Sequence, residues 1–323
     1  MKKIKGRSVS GIQNNTNYEV CTFYLENECI NVNNVLFDNC SFRTKVLLKN
    51  IKNCRFSNCN FSDQVIFDLS KAGLKRIPNF IFDVHSLSQL DLSNNDISIL
   101  PNDLFKLPML NILNLSFNKI TVLPDDIAKL EKLCEIDLSH NKINCIYNSL
   151  FKLKQLKKLH LWHNAIKEIP SSISKLQNIS FLNLNNNQIE IIPPDVMRLK
   201  NLRSLSLHAN KIKNFPSEIF RLKKLENLDL SNNQIKTLPK ELGLLGSVVA
   251  LYLSSNEITH IPSEIGCLSS LRRLELQNNQ IKEFPSSIKN FKMLSYLDIS
   301  RNPIYVDTWK NIYLWLPNSE IIY

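Results

Sequence analysis

The chain has 323 residues, of which 43% are hydrophobic, and it carries a formal net charge of +11 with a pI near 9.2. This composition supplies a substantial core, and the positive charge favours acidic partners in a general way. The basic start at residues 1–7 is not followed by an apolar run, so the sequence predicts neither a secretory signal nor, further along, a transmembrane segment. The eight cysteines lack paired spacing, which is typical of reduced thiols in a cytoplasmic protein.

The N-terminal part divides into two segments. Residues 1–17 show no periodic pattern and predict a flexible leader. Within residues 18–63 and just beyond, large apolar side chains recur every five residues in two series, offset by one residue near residues 50–53: Phe37, Phe42, Leu47, then Ile51, Phe56, Phe61, Ile66. Such a segment would cover the apolar end of the repeats that follow, so residues 18–63 predict an N-terminal cap.

The segment CRFSNCNFSD at residues 54–63 resembles the pentapeptide-repeat family. That resemblance implies a square β-helix with the central Phe or Leu inside, and an irregular cap packed with Phe and Cys is the alternative. The cysteines here do not have the paired spacing of a zinc site, so small buried side chains are expected instead: Cys21, Cys29, Cys40, Cys54 and Cys59.

A 23-residue pattern then runs through residues 64–304. Its leading apolar residue returns without insertion or deletion at Leu87, Leu110, Leu133, Leu156, Ile179, Leu202, Leu225, Val248, Leu271 and Leu294. An Asn column keeps the same spacing: Asn95, Asn118, Asn141, Asn164, Asn187, Asn210, Asn233, Asn256, Asn279 and Asn302. This is an array of eleven leucine-rich repeats, of which the first is degenerate because Ala72 replaces the Asn, and the last is truncated.

Each repeat predicts a short strand whose leucines face inward and whose alternate residues face a concave surface. The Asn amide is expected to bond unpaired backbone groups of neighbouring turns, which would build a buried ladder. A Pro column, interrupted by Tyr147, opens a convex segment with a helical turn. Residues 305–323 predict a C-terminal cap, with these apolar residues over the last repeat: Trp309, Ile312, Leu314, Trp315 and Leu316.

The I/L-P-x-x-I-x-x-L form of residues 64–304 resembles the Ras-group and bacterial leucine-rich repeats. The resemblance implies an α/β fold: a leucine-rich repeat solenoid, or horseshoe, with a parallel β-sheet on the concave face and short helical turns on the convex face. It also implies a scaffold for protein–protein interactions, with a small GTPase or another signalling regulator as partner. If the chain is a bacterial effector, the partner is a host protein and the location is the host cytoplasm.

Functional residues are expected where the repeats differ at exposed positions. Most repeats carry small polar residues on the concave face, and the departures cluster at His160, Trp162, His163, Phe181 and His208, with Phe117 and His140 before them. An exposed Trp beside Phe and His is typical of a binding hot spot, and the alternative is that Trp162 folds over the sheet and fills space. A second group lies nearer the C-terminus: Tyr252, Arg273, Glu275 and Tyr296.

The histidines also raise the question of a metal or catalytic site. His140 and His163 occupy one column with His160 nearby, but no Cys or carboxylate completes a set of four ligands. Together with Asp137 they would form an acid–base group, yet no nucleophile with an orienting third residue is evident. The sequence therefore predicts no metal, no cofactor and no enzymatic activity.

A column of cations marks the convex edge, four residues before the leading leucine of six successive repeats: Lys106, Lys129, Lys152, Lys175, Arg198 and Arg221. It would suit an acidic protein, an anionic membrane or nucleic-acid phosphate, but the ordinary explanation is solubilising charge. No aromatic residues interleave with the cations, so nucleic acid is not an expected partner. The prediction is a cytoplasmic, monomeric scaffold that binds a protein through its concave face, with electrostatic binding through this edge as the alternative.

Overall fold

The computed structural model describes residues 1–25 and 30–323, so Cys29 lies outside the described residues. The chain divides into two compact units, Met1–Ile143 and Asn144–Tyr323. None of the helices in the described ranges has the length and hydrophobicity needed to cross a bilayer.

The first unit begins with short strands that wind into stacked coils. These are β1 (Lys2–Lys5), β2 (Ser8–Val9), β3 (Thr16–Glu19), β4 (Thr22–Phe23), β5 (Ile30–Asn33), β6 (Val35–Asp38), β7 (Ser41–Phe42), β8 (Val46–Lys52), β9 (Arg55–Ser57) and β10 (Asn60–Phe61). The strands form parallel sheets on three faces, in the orders β1-β3-β6-β9, β2-β4-β7-β10 and β5-β8. The first two sheets each receive one strand from four successive turns, and the third sheet begins with β5.

Residues 1–17, for which the sequence predicts a flexible leader, instead contain strands of the first coil. β1 pairs in parallel with β3 along its whole length. The ammonium groups of Lys3 and Lys5 lie 2.5 and 2.8 Å from the Glu19 carboxylate, and their hydrogen bonds lower the pKa of Glu19 to about 2. Paired backbone and these charges hold the start of the chain against the coil that follows.

The coils from β3 onward are nineteen residues long, so equivalent side chains stack on one another. Two columns of rings result: Tyr18, Phe37, Phe56 and Phe23, Phe42, Phe61. Successive rings in each column are stacked with centroids 4.6–5.5 Å apart. Four faces of five residues would need twenty residues in a turn, so this coil is one residue shorter, which accounts for the offset near residues 50–53.

The corners of the coils have left-handed backbone. Asn34, Asn39, Asn53 and Asn58 have φ angles of 53°, 51°, 50° and 51°. Asn adopts this region more readily than most side chains, which explains the abundance of Asn in this segment.

The cysteines of this segment are small inward-facing residues, as their spacing predicts. Cys21, Cys40 and Cys54 are buried, and Cys59 is half-buried. The Cys40 thiol donates to the carbonyl oxygens of Tyr18 and Asp38 at 3.5 and 3.4 Å, and the other three thiols also lie within hydrogen-bond distance of backbone carbonyls. These contacts satisfy the thiols inside the coil.

Strand β11 (Val65–Asp68) joins the coils to the repeats. It pairs in parallel with β8 on one side and with β12 (Leu87–Asp91) on the other, and the register with β12 shifts between Val65 and Ile66. The Phe56 ring of the last coil lies 5.6 Å from Phe67 and 6.2 Å from Phe80. The apolar end of the first repeat is therefore covered by the aromatic columns.

Each repeat supplies one strand, and each except the truncated last one supplies a 3₁₀ helix. In the first unit β12 is followed by β13 (Ile112–Asn114) and β14 (Glu135–Asp137), with 3₁₀ helices at Asn79–Asp83, Asn102–Lys106 and Asp125–Lys129. The strands of the second unit are β15 (Lys158–His160), β16 (Phe181–Asn183), β17 (Ser204–Ser206), β18 (Asn227–Asp229), β19 (Ala250–Tyr252), β20 (Arg273–Glu275) and β21 (Tyr296–Asp298). Its 3₁₀ helices are Leu150–Lys152, Ser171–Lys175, Pro194–Arg198, Ser217–Arg221, Lys240–Leu244, Ser263–Cys267 and Ser286–Asn290.

The repeat strands β12–β14 and β15–β21 pair in parallel within their units, and residues 23 apart lie opposite one another. The alternation places the repeat leucines in the core: Leu159 and Leu161, for example, are both fully buried. The intervening residues form the outward face of the sheet, as the period of two requires.

The Asn column forms the predicted ladder of hydrogen bonds within each unit. The Nδ2 group of Asn187 donates to the carbonyl oxygens of Leu161 and Leu184 at 3.0 and 3.1 Å, and its Oδ1 accepts from the Ile166 amide at 3.0 Å. The same arrangement recurs at Asn118 and Asn256. Seven of the column residues are buried, and three are half-buried: Asn141, Asn164 and Asn302.

The C-terminal residues form helix α1 (Val306–Trp315) and strand β22 (Glu320–Ile322), which pairs in parallel with β21. Ile312 and Leu316 are buried, one helical turn apart, whereas Leu314 is 76% exposed. Leu314 was expected in the cap but lies on the other side of the helix, because residues two apart do not share a helical face.

Two glycines let successive 3₁₀ helices of the second unit approach closely. A Cβ atom on Gly266 would lie 2.4 Å from the Ser287 carbonyl oxygen, and one on Gly243 would lie 2.7 Å from that of Glu264. We expect Gly266→Ala to destabilise the protein by about 1–3 kcal/mol, because backbone must move to admit the methyl group. Gly246→Ala is the control, since a Cβ there meets nothing within 4 Å. Equal urea midpoints for the two variants would contradict this packing.

Candidate functional site

The central group of predicted binding residues lies on adjacent strands of the second unit. In the pairing of β15 with β16, Lys158 lies opposite Phe181 and His160 opposite Asn183. The leucines between them are buried, so these side chains belong to the outward face. The Phe181 ring lies 4.8 Å from the His160 ring at an angle of 35°.

Trp162 follows β15 on the same outward face. It is half-buried, and its ring lies 6.0 Å from that of the exposed His163 in an edge-on arrangement. The side chain thus keeps part of its surface accessible while the leucines beside it form the core. This placement fits the predicted outward orientation of Trp162.

His208 lies two repeats further along the second unit, about 10 Å away at the usual strand spacing. Its amide donates to the Asn185 side chain at 2.8 Å, and its Nδ1 lies 2.7 Å from the Ser231 hydroxyl oxygen. The Ser231 contact orients the imidazole, and the Asn185 contact holds the backbone of His208. The structure places His208 on the same outward face as Trp162.

Several of the predicted residues belong to a column with left-handed backbone. The residue before each column Asn has a φ of 49–58°, including 53° at Phe117, 49° at His140 and 57° at His163. Asn and His are enriched in this region, so the two histidines also suit the turn itself. Phe117 and His140 lie in the first unit, where their rings stack at 3.8 Å. The conformational role of this column was not evident from spacing alone.

The second predicted group is largely satisfied by its own contacts. The Arg273 guanidinium bonds the Glu275 carboxylate at 2.7 and 2.6 Å, and it lies 3.8 Å from the centre of the Tyr296 ring. Burial raises the pKa of Tyr252, an effect that the nearby Arg273 opposes. The four residues therefore come together as expected, with their charges already paired.

The basic edge is partly neutralised by acidic residues in its own 3₁₀ helices. Lys106 pairs with Asp103 at 2.8 Å and Lys129 pairs with Asp126 at 2.9 Å. Arg198 lies 3.9 Å from Asp195 in the same i,i+3 arrangement. Half of the six cations thus share their charge locally, which weakens the column as a site for anions.

The described residues are suited to binding a partner through surface contacts. Across residues 1–25 and 30–323, no three or more His, Cys, Asp or Glu side chains form a group that would hold a metal ion. The outward face instead presents rings, imidazoles and short polar side chains. A groove on the first unit has aliphatic and acidic walls. The sequence pattern does not predict it, because its residues lie far apart along the chain.

Stacked parallel strands, short 3₁₀ turns and an inner Asn ladder define a leucine-rich repeat solenoid. The sequence matches the family described as Leucine rich repeat over residues 65–120, 108–166, 200–258 and 246–304, and the family described as Leucine Rich repeats (2 copies) over residues 154–196. The chain belongs to the leucine-rich repeat family.

Solved structures give the same result. A leucine-rich repeat protein of Leptospira interrogans is 30% identical, with a TM-score of 0.78 over 95% of this chain and 78% of that chain. An internalin of Listeria monocytogenes is 22% identical, with a TM-score of 0.69 over 84% and 80% of the two chains, and a TDR receptor is 30% identical, with a TM-score of 0.71 over 80% and 46%. No curated protein sequence matches the chain. The fold is that of a protein-interaction module.

Proposed function

We propose that this chain is a non-enzymatic scaffold that binds a partner protein through the concave face of its second unit. The binding centre, here called the central patch, consists of His160, Trp162, His163, Phe181 and His208. The supporting observation is that these rings lie on the outward face of a sheet, where Trp162 and His208 replace the Ser that most repeats carry at that position. Additional contacts are proposed at Phe117 and His140 of the first unit and at Tyr252, Arg273, Glu275 and Tyr296 of the second.

The geometry of the central patch favours binding because its side chains are already held in place before a partner binds. The His208 imidazole is held by Ser231, the backbone of His163 is fixed in a left-handed turn, and the Phe181 ring lies against His160. Side chains that are already ordered lose little entropy when a partner arrives. A large aromatic residue such as Trp162, with His163 beside it, is typical of a binding hot spot.

For the partner, we propose a small GTPase or another signalling regulator, on the basis of the Ras-group form of the repeats. If the chain is a translocated effector, the partner is a host protein. In either case the proposed location is the cytoplasm in which that partner resides, and the scaffold acts as a monomer. Comparative capture of partners with wild type and with a Trp162→Ala, Phe181→Ala double variant identifies the protein that depends on the patch.

We expect Trp162→Ala to weaken binding of that partner at least thirtyfold, or about 2 kcal/mol, because a central aromatic contact is lost. The melting temperature should change little, since the side chain lies on the outward face. Leu161→Ala is the stability control and should cost about 2–5 kcal/mol through a core cavity. Trp309→Ala is the binding control, because Trp309 lies in α1 and outside the patch.

Two results would contradict the proposal. Trp162→Ala unfolding the protein as readily as Leu161→Ala would show that the patch is structural. An affinity that is unchanged in Trp162→Ala but falls steeply with added salt would favour the alternative, which is electrostatic binding of a membrane or nucleic acid through the basic edge.

A further inference from the structure

The outward face of the first unit contains a groove that is separate from the central patch. It crosses β8, β11, β12, β13 and β14 and encloses about 300 Å³. Its walls include three half-buried aliphatic side chains and four carboxylates: Leu47, Ile66, Ile112, Asp68, Asp91, Glu135 and Asp137.

The two kinds of wall form two parallel rows. Asp68 lies opposite Asp91 in the strand pairing, and Asn114 separates Asp91 from Asp137. Two residues earlier on the same strands, Ile66 lies opposite Leu47 and Gln89, and Gln89 lies opposite Ile112. Glu135 lies opposite Ile112 at the end of this row, so the aliphatic row also carries one carboxylate. At the usual strand spacing of about 4.8 Å, the acidic row runs roughly 14 Å across the sheet beside an aliphatic row.

The carboxylates are fixed in place before any ligand arrives. Asp68 accepts hydrogen bonds from the amide and hydroxyl of Ser70 at 3.0 and 2.7 Å. Asp137 accepts the same pair of bonds from Ser139 at 2.8 and 2.5 Å. Each of these contacts uses one carboxylate oxygen, Oδ1, and leaves the acid with further acceptor capacity.

We propose that this groove binds an extended basic segment of a partner protein. An extended chain lying along the rows directs alternate side chains to its two edges, so lysine or arginine would meet the acidic row and aliphatic residues would meet Leu47, Ile66 and Ile112. A row of roughly 14 Å accommodates four or five extended residues. Charge complementarity selects the occupant, because a chain of net charge +11 repels a basic ligand at most other places.

The test uses the full chain and a fluorescent nine-residue peptide in which lysine alternates with leucine, followed by fluorescence anisotropy. A matched peptide has glutamate in place of lysine. The lysine peptide should bind at least tenfold more tightly, although the net charge of the protein favours the glutamate peptide. Tighter binding of the glutamate peptide, or no binding of the lysine peptide, would overturn the proposal.

Paired variants separate the groove from general charge attraction. The double variant Asp68→Asn, Asp137→Asn should weaken binding of the lysine peptide at least tenfold. Asn is compatible with this position, because Asn114 accepts hydrogen bonds from the amide and hydroxyl of Ser116 in the same way. The control, Asp229→Asn with Asp298→Asn, removes the same charge from the equivalent column of the second unit, where serines make the same contacts. The control should change the affinity less than twofold, and equal losses would overturn the proposal.

The aliphatic row and a competing occupant are tested in the same way. Ile112→Asn should weaken the lysine peptide at least fivefold, and Asn227 already occupies the equivalent position in the second unit. Unchanged affinity in this variant would exclude the aliphatic contacts. Sedimentation that reveals a dimer abolished by the Asp68→Asn, Asp137→Asn variant would assign the groove to a second copy of this chain and overturn the proposal. Each outcome is independent of the central patch.

Discussion

Deletion of residues 1–63 is expected to lower the melting temperature by about 10 °C or more, or to leave the protein aggregated. The deletion removes the β8 partner of β11 and the Phe56 ring that covers Phe67 and Phe80. Loss of a buried Phe contact alone costs about 3–5 kcal/mol, and each kcal/mol corresponds to roughly 2–4 °C in a domain of this size. Thermal unfolding by circular dichroism, with light scattering, measures both effects.

Deletion of residues 1–7 is the matched control, because it removes β1 but leaves the aromatic columns intact. That truncation should shift the melting temperature much less. If the longer truncation is soluble and melts as the full chain does, the coils are an independent appendage and do not stabilise the repeats.

Replacing Asn187 with Leu is expected to cost about 1–3 kcal/mol. The substitution leaves the buried amide of Ile166 without its acceptor, whereas the carbonyl groups of Leu161 and Leu184 still accept hydrogen bonds from Asn164 and Asn210. An unsatisfied buried group costs about 1–3 kcal/mol, and a leucine of similar volume cannot satisfy it. Urea denaturation followed by circular dichroism measures the change.

Asn214→Leu provides the comparison. It is the same substitution at an exposed position of the next repeat, and its counterpart Ile191 is 77% exposed, so an aliphatic side chain is accepted there. We expect the urea midpoint of Asn214→Leu to match that of wild type within error. Similar midpoints for the two variants would show that the ladder contributes little to stability.

The repeat architecture was accessible from the sequence because each of its rules is local. Leucines two apart define a strand with one buried face, and an Asn every 23 residues has one geometry in which its amide is satisfied. The first coil was not accessible, because Ile4 and Val9 pair in register with Tyr18 and Phe23 without repeating their aromatic character. The nineteen-residue period was readable in the spacing of Tyr18, Phe37 and Phe56, but the stronger five-residue pattern obscured it.

The site was predictable only in part, for a related reason. Alternation alone places Trp162 and Phe181 on the outward face, since direction follows from the strand period. The stacking of Arg273 on Tyr296 depends on side-chain rotamers, which a pattern does not specify. The backbone angle of His163 was equally hidden, although a column rich in Asn and His is a signal for left-handed turns.

Strand β11 joins two parts of the chain with different repeat lengths, the nineteen-residue coils and the 23-residue repeats. On one side its residues face partners nineteen positions earlier in the chain, and on the other, after the shift between Val65 and Ile66, they face partners 23 positions later. An N-terminal cap that is transferred to another protein must therefore include β11. A fusion of residues 1–68 to another array of 23-residue repeats would include this strand. A fusion joined before residue 65 would lack β11, so that nineteen-residue coils would have to pair directly with 23-residue repeats.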